Sequence, residues 1–493
     1  MTTAAVVGSG PNGLAAATVL AAAGVDVTVH EAAPTPGGAA RSAELMVPGV
    51  VHDLGSAVHP LAVLSPALAG LDRFGLRFAW PEVDLAHPVH GGPAGVLLRD
   101  IAATADRLDD LHPGDGRRWR AAFGPVADRM DRIVSDVLAP PGSPGVSPTG
   151  CPPSGPLAPA AWASTLRFGL RASLPAASLT HLWRSPQARA LVAGIAAHAF
   201  TRLDRPLSAA PGVLLTGAGH AAGWPVAVGG SGAVTAAMVR RLESLGGRVV
   251  TGSPVRDLRG LDADLVLLDT SPAAASALLS RSGTPVPAGR DRAYRRFRHG
   301  PGVLKVDCVV RGGVPWSDAA CRRAGTVHLG GTAREIAAAE RDCVRGRMPD
   351  APFVLVGQQH LADPGRSAGD LHPLWAYAHV PHGWEPPAGA DPLAVAGPVI
   401  RRIEEFAPGF RDVVVDLRVR TPRDLERENP NLTGGDIAGG ASDAVQLLRR
   451  PTVRDPYSTG VPGVFLCSAS TPPGGGVHGL CGWFAAHRAL REL

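Results

Sequence analysis

The N-terminus constrains this chain more than any other stretch. Ala4-Ala5-Val6-Val7 reads as a buried parallel strand, Gly8-Ser9-Gly10-Pro11-Asn12-Gly13 as a tight turn, and Leu14 to Ala23 as a helix of small residues ended by Gly24. Val25 to Val29 then reads as a second strand closing on Glu31. Glycine makes up 61 of the 493 residues, so three glycines at this spacing say little alone. The strand before them, the helix after them and an acid 18 residues beyond the last one turn the spacing into a structural unit. Gly8 makes the turn, Gly10 lets backbone approach a pyrophosphate, and Gly13 permits close helix–strand packing. The helix start offers free N–H groups and a positive dipole end to phosphates. Glu31 is placed to accept hydrogen bonds from ribose hydroxyls, and its charge disfavours a 2′-phosphate.

Gly37-Gly38-Ala39-Ala40-Arg41 follows almost at once. A plain dehydrogenase would continue to another helix and strand of the wound sheet. A second glycine turn with an arginine instead suits a long, bent flavin dinucleotide, so the expected cofactor is FAD. Asp53-Leu54-Gly55-Ser56 reads as a further loop near the same ligand. For His59, just beyond it, a satisfied polar contact and a catalytic role both stand open.

Composition bounds the remaining classes. The chain is 45% hydrophobic and 18% charged, which suits two or three globular domains and excludes a disordered chain. No window approaches about 18 uninterrupted apolar residues, so no transmembrane helix is expected, and peripheral contact with a membrane stays open. Cations outnumber acids by only 48 to 43, and the arginines cluster in pairs, so nucleic acid is not an expected partner. The N-terminus shows no secretory pattern. The six cysteines form no CxxC pair and no metal-ligand spacing, so a reducing, cytoplasmic setting without a metal site is expected.

Further along, Trp119, Phe123, Val126, Met130, Ile133, Val134 and Val137 recur at helical spacing and predict one amphipathic helix. Residues 140–159 hold eight prolines and four glycines and read as a mobile surface loop. Helical patterns resume over 162–174 and 186–199. Gly229-Gly230 leads to a predicted helix over 233–245, then to strands at 248–250 and 255–258 and a buried strand at 264–269. A region of strands and loops over 304–420 holds a helix at 392–406. A buried strand at 463–467, a glycine loop and a helix from Val477 to Arg488 close the chain. The expected organisation is α/β: a Rossmann-like FAD-binding domain from residues 1–75, 224–300 and 440–493, and an inserted α+β substrate domain from 76–223 and 301–439.

These segments resemble the phytoene desaturase-like branch of the FAD-dependent amine oxidase and desaturase superfamily. The nearer resemblance is to the group named after pyridine nucleotide-disulfide oxidoreductase domain-containing protein 2. It is carried by the N-terminal turn, Glu31 with Gly37 to Arg41, Gly229-Gly230, Asn429-Pro430-Asn431 with Gly434-Gly435-Asp436, and Leu466 to Gly479. The resemblance implies a bound FAD, a wound nucleotide domain and a separate substrate domain. The residues expected at the cofactor are Gly8, Gly10, Pro11, Asn12, Gly13, Glu31, Ala32, Gly38, Ala39, Arg41, Val255, Ser468, Gly475, Gly476 and Val477. The chain departs from the pattern between 258 and 263, which is too short for the usual hairpin, and in its proline-rich loop. Disulfide chemistry is not expected, because no cysteines are paired in sequence.

Two residues are candidates for chemistry. Lys305 is the sole lysine among 48 cationic residues and sits in an apolar strand pattern. An ammonium can lose its proton where a guanidinium cannot. In flavin amine oxidases a lysine on a comparable strand binds a water beside flavin N5, and Lys305 resembles it in context. His478, at the predicted start of the last helix, is the second candidate, with a plain first-turn role as the alternative. The expected activity is removal of hydride from a C–H bond of an apolar small molecule, with oxygen, a quinone or another acceptor reoxidising the flavin. The three tyrosines of the chain make an aromatic cage for an amine less favoured. A non-catalytic or non-redox FAD-binding protein, regulatory or an isomerase, is the alternative class.

Overall fold

The computed structural model describes residues 1–137 and 168–493. Two main sheets organise them. Their strands, in chain order, are β1 (Thr3–Val7), β2 (Asp26–His30), β3 (Val83–His87), β4 (Gly95–Leu97), β5 (Arg248–Val250) and β6 (Leu265–Leu268). After these come β7 (Gly302–Arg311), β8 (Ala324–Leu329), β9 (Val354–Gly357), β10 (Leu371–Val380), β11 (Val414–Arg420) and β12 (Val464–Leu466).

The first sheet is parallel, in the order β12-β6-β1-β2-β5. Its strands β1, β6 and β12 are apolar runs because both faces are covered, while β2 alternates and the edge strand β5 is largely exposed. Val6, Leu267 and Phe465 point into one core with Leu14 and Leu20 of the first helix, Pro11–Ala22. Val7, Val266, Leu268 and Leu466 point into another, closed by Leu278 and Leu279. Every strand of this sheet lies within 1–75, 224–300 or 440–493.

The second sheet runs β11-β7-β10-β9-β8-β3-β4, antiparallel except for the parallel pair β8–β3. Alternation along β7 separates two environments. Leu304, Val306, Cys308 and Val310 pack with Ile400 and Ile403 of the helix Pro392–Glu404. Val303 joins Leu355, Trp375 and Tyr377 on the opposite face. A short ribbon, Phe78–Ala79 with Val226–Ala227, links the two halves of the molecule.

Three expectations need correction. The apolar stripe from Trp119 is two helices, Asp115–Ala127 and Met130–Val137. Its residues from Trp119 to Val134 are buried as expected. Pro125 removes the N–H that would bond Ala121 O, and Arg171 donates to that carbonyl instead at 3.1 Å. Residues 255–258 form no strand; Val255 and Leu258 pack as loop residues against the edge of the core. The last helix begins at Leu480, after Gly479 in left-handed conformation (φ +67°), so His478 precedes it. The proline-rich loop 140–159 and the first part of 162–174 lie outside the described residues, and 168–172 is helical.

Candidate active site

The turn after β1 is built as its glycines require. Gly8 takes φ +104°, and a methyl on Gly13 would fall 2.1 Å from Gly8 O, so only glycine lets the helix start this close to the strand. Glu31, at the end of β2, is locked beside the turn. Ser9 N–H and Oγ–H donate to its Oε2 at 3.0 and 2.5 Å, and Ala33 N–H donates to its Oε1 at 2.8 Å.

Asp269, at the end of β6, is a second carboxyl here that was read in the sequence only as the end of a strand. Its Oδ2 accepts from Gly13 N–H at 3.0 Å. Burial pushes its carboxyl up to about 7, the Gly13 N–H opposes the rise and the Glu31 charge adds to it. Asn431 ties a distant segment to this point. Its Nδ2 donates to Asp269 O at 2.8 Å, and its Oδ1 accepts from Ser271 N–H at 2.9 Å.

The second glycine turn lies directly on the first. Gly37 N–H donates to Ser9 O at 3.1 Å, and a methyl on Gly38 would come within 3.1 Å of Gly10 Cα. Arg41 Nε donates to Gly38 O at 2.8 Å, which stiffens the loop. The segment 54–56 runs alongside, with Leu54 N–H on Arg41 O at 2.8 Å and Ser56 N–H on Ala39 O at 3.0 Å. Asp53 itself faces away from the ligand space. It accepts from Ser42 Oγ and Ser231 N at 2.7 Å and pairs with the buried Arg366. Arg366 also binds Asp363, whose carboxylate accepts from Gly229 N–H at 2.7 Å, so one buried cluster fixes three loops. His59 is buried and bonds Ser231 Oγ at 2.9 Å; burial drops its ring to about 4.

The C-terminal loop closes the third side. Gly474 and Gly476 adopt φ +113° and +131°, and a methyl on Gly475 would fall 2.6 Å from Ala438 O. His478 Nδ1 accepts from Leu480 N–H at 3.0 Å, which puts the proton of the neutral ring on Nε2. Burial lowers this ring to about 4, against the backbone carbonyls of Gly475 and Gly474. Arg450 is buried nearby and donates through NH2 to Ala438 O and Ala469 O at 2.9 and 3.0 Å.

These loops border one cavity of about 2390 Å³. Ordinary ligand pockets span about 300–1,000 Å³, so this one has room for a dinucleotide and a second molecule. Every cofactor residue expected from the sequence lines it except Gly13, which acts in packing. Ala32 and Val255 stand at one end with Glu31, and Ser468, Gly475, Gly476, Val477 and His478 lie along the other side. Lys305 lines the cavity from β7, 3% exposed. It pairs with Asp307, its neighbour on the same strand face, and lies over the Trp375 ring at 5.2 Å. Arg420 binds the other Asp307 oxygen at 2.7 Å. Burial lowers the Lys305 ammonium to about 8, Asp307 opposes the fall and Arg420 adds to it.

One stretch of the remaining wall is apolar and includes Phe168, Phe200, Leu214, Leu215 and Trp224. Phe200 (φ +49°) and Leu207 (φ +67°), both on this wall, adopt left-handed backbone. Side chains rarely tolerate that conformation, and it concentrates at functional sites. No periodicity in the sequence marks it. Among the described residues no cluster of His, Cys, Asp or Glu is arranged to hold a metal.

The fold and the turn define a mixed α/β protein with a Rossmann-like nucleotide-binding half, and the NAD(P)-binding Rossmann-like domain matches residues 6–68. Similarity extends to pyridine nucleotide-disulfide oxidoreductase domain-containing protein 2 of Rattus norvegicus, 43% identical over 93 residues. That stretch is 18% of this chain and only 16% of the relative's length. An uncharacterized protein of Mycobacterium tuberculosis is 26% identical over 563 aligned residues, covering 99% of this chain and 97% of that one. Among solved structures, putrescine oxidase superposes with TM-score 0.59 at 18% identity, covering 99% of both chains. Cyclohexylamine oxidase from Brevibacterium oxydans gives TM-score 0.56 at 16% identity over 100% of this chain and 99% of its own. At these identities the likeness shows a shared fold.

Proposed function

We propose that the protein is an FAD-dependent oxidoreductase that takes a hydride from a C–H bond of an apolar small molecule. The observation that carries this reading is a single cavity joining the dinucleotide turn, the glycine loops and an apolar chamber roofed by Lys305. The residues present fit a flavin dinucleotide. Glu31 is held where it would take ribose hydroxyls, the start of the first helix would hold a pyrophosphate, and a methyl would crowd Gly10 from Gly38 and collide with Ala438 O from Gly475. The same reading divides the chain into a nucleotide-binding domain of 1–75, 224–300 and 440–493 and a substrate domain of 76–223 and 301–439, and the partition of strands between the two sheets supports it. Putrescine oxidase and cyclohexylamine oxidase share this fold, and the names of the relatives favour redox chemistry; a desaturase-like reaction is the finer reading.

Bound flavin supplies an acceptor for two electrons and a proton. The chain does the remaining work. The apolar wall excludes water and binds the substrate body. Lys305 holds a proton at Nζ beside the cavity, fixed by Asp307, where it orients a water or passes a proton on. His478 keeps its neutral ring turned onto the loop and the helix start, so its part is to shape the flavin-facing turn.

The test is spectroscopic. The purified protein is expected to carry an oxidised flavin spectrum, to be photoreduced without oxygen, and to reoxidise more slowly as Lys305→Met on readmission of oxygen. Unchanged reoxidation removes Lys305 from that role and leaves a dehydrogenase. Absence of flavin after reconstitution overturns the reading.

A further inference from the structure

The face of the second sheet that roofs the cavity carries its side chains in rows set by register. Lys305 pairs with Tyr377, Tyr377 with Leu355, and Leu355 with His328, so the four form a line across four strands. In the next row Asp307, Trp375, Gly357 and Thr326 do the same. With strands about 4.8 Å apart, the β8 end of these rows is about 14 Å from Lys305.

That far end is polar. Thr326 lines the cavity, is 1% exposed, and its Oγ1 has no hydrogen-bond partner among the described residues. His198 lines it too. Its Nδ1 is 3.0 Å from Ile195 O, so the neutral ring donates there and leaves Nε2 as an acceptor. His328 lies behind, 5.2 Å from the His198 ring, with both nitrogens unpartnered. Gly194 leaves space for this cluster, since a methyl there would sit 2.8 Å from His87 Nδ1 and 3.0 Å from His328 Nδ1. Buried polar groups ordinarily have partners, and of those left without one in this cluster Thr326 Oγ1 is the one on the cavity wall, where a ligand can supply it.

We propose that this end of the cavity binds a hydroxyl at the far terminus of an otherwise apolar substrate. The assignment rests on reading the cavity as the substrate chamber of a flavoenzyme. A hydroxyl donates to His198 Nε2 and accepts from Thr326 Oγ–H at once, whereas a carbonyl can only accept. A charged terminus fares worse. Burial holds the rings of His198 and His87 near 4 and that of His328 well below the usual range, so none offers a cation at neutral pH. The Glu340 carboxylate behind them is held through Oε1 by His379 Nδ1 at 2.6 Å, and neither it nor its unpartnered Oε2 is on the cavity wall. An ammonium or carboxylate here would be desolvated without a counter-ion.

The experiment compares decanol, decanone, decylamine and decanoate binding to the flavin-loaded protein at pH 7. Binding is read from tryptophan fluorescence, since Trp224 and Trp375 line the cavity, and separately from the flavin spectrum. Decanol is expected to bind about tenfold more tightly than the amine or the carboxylate, with decanone between them. Thr326→Val and His198→Phe, each checked for an unchanged melting temperature, are expected to weaken decanol about tenfold and leave the two ions unaffected. Equal affinities, tighter binding of an ion, no binding of any probe, or variants that keep the alcohol preference overturn the assignment. A preparation that takes up no flavin yet prefers decanol overturns the flavoenzyme reading and leaves the hydroxyl site in place. One that holds flavin and binds all four alike does the reverse.

Discussion

At the scale of single residues, a carboxylate sits between two cations behind the cavity wall, Asp307 with Lys305 and Arg420. Asp307 is fully buried; burial pushes it up, but Lys305 and Arg420 outweigh that and hold it below the ordinary carboxylate range. Its charge is also what keeps the buried Lys305 ammonium as high as about 8. Asp307→Asn removes that support, so Lys305 is expected to lose its proton at lower pH. The pH profile of flavin reoxidation should then shift its midpoint downward from about 8, and an unmoved midpoint would show that Lys305 does not govern the step. Removing one partner from a buried ion cluster should also lower stability on the order of 3–5 kcal/mol, read from urea unfolding. Gly10 offers a contrasting probe. A methyl there meets the Asp269 carboxylate oxygen at 2.8 Å rather than backbone. Gly10→Ala is therefore expected to reduce flavin occupancy at equilibrium while its melting temperature, measured without flavin, stays near that of the wild type.

At the scale of elements, close helix packing depends on two glycines. A methyl on Gly13 would fall 2.1 Å from Gly8 O, and one on Gly482 would fall 1.7 Å from Asn12 O, where the last helix crosses the first. Neither backbone can yield without moving a helix. Gly13→Ala and Gly482→Ala are each expected to cost about 1–3 kcal/mol by forced overpacking. Flavin-free protein should melt earlier in both, unlike Gly10→Ala, and equal melting of all three would refute the packing argument. The first sheet was legible because buried parallel strands are short apolar runs that local pattern reveals, as in Ala4 to Val7 and Leu265 to Leu268. The glycine loops were legible because turns that take positive φ, at Gly8, Gly37, Gly38, Gly474 and Gly476, favour glycine. The break between Ala127 and Met130 was not, because the apolar stripe stays in phase across it. Nor was the start of the last helix, since a glycine run marks a turn without fixing its final residue. Asp269 was hidden for another reason. Its place comes from Gly13, 256 residues away in the chain, and no local period encodes such a meeting.

At the scale of the whole molecule, two sheets assembled from interleaved segments close on one large cavity, and a histidine population is buried with it. His52, His59, His87, His198, His220, His360 and His478 are all lowered to about 4, each chiefly by burial. In the unfolded chain these rings titrate near 6.5. Between about 4 and 6.5 the unfolded state thus binds more protons than the folded one, so folding stability must rise with pH across that window and fall as the medium is acidified. The urea midpoint is expected to drop steeply below about 6.5, because these seven rings outnumber the two buried carboxyls, Asp84 and Asp269, that are raised and oppose the trend. A flat midpoint down to pH 4.5 would mean that these rings are solvated or charged in the folded protein. His328 sharpens the test, because its ring is buried with both nitrogens unpartnered, so its loss breaks no hydrogen bond. His328→Leu is expected to make the acid limb shallower by the share of one proton, with stability at pH 5 raised relative to wild type. A steeper limb in that variant would show that the ring is held by a partner it gains in solution.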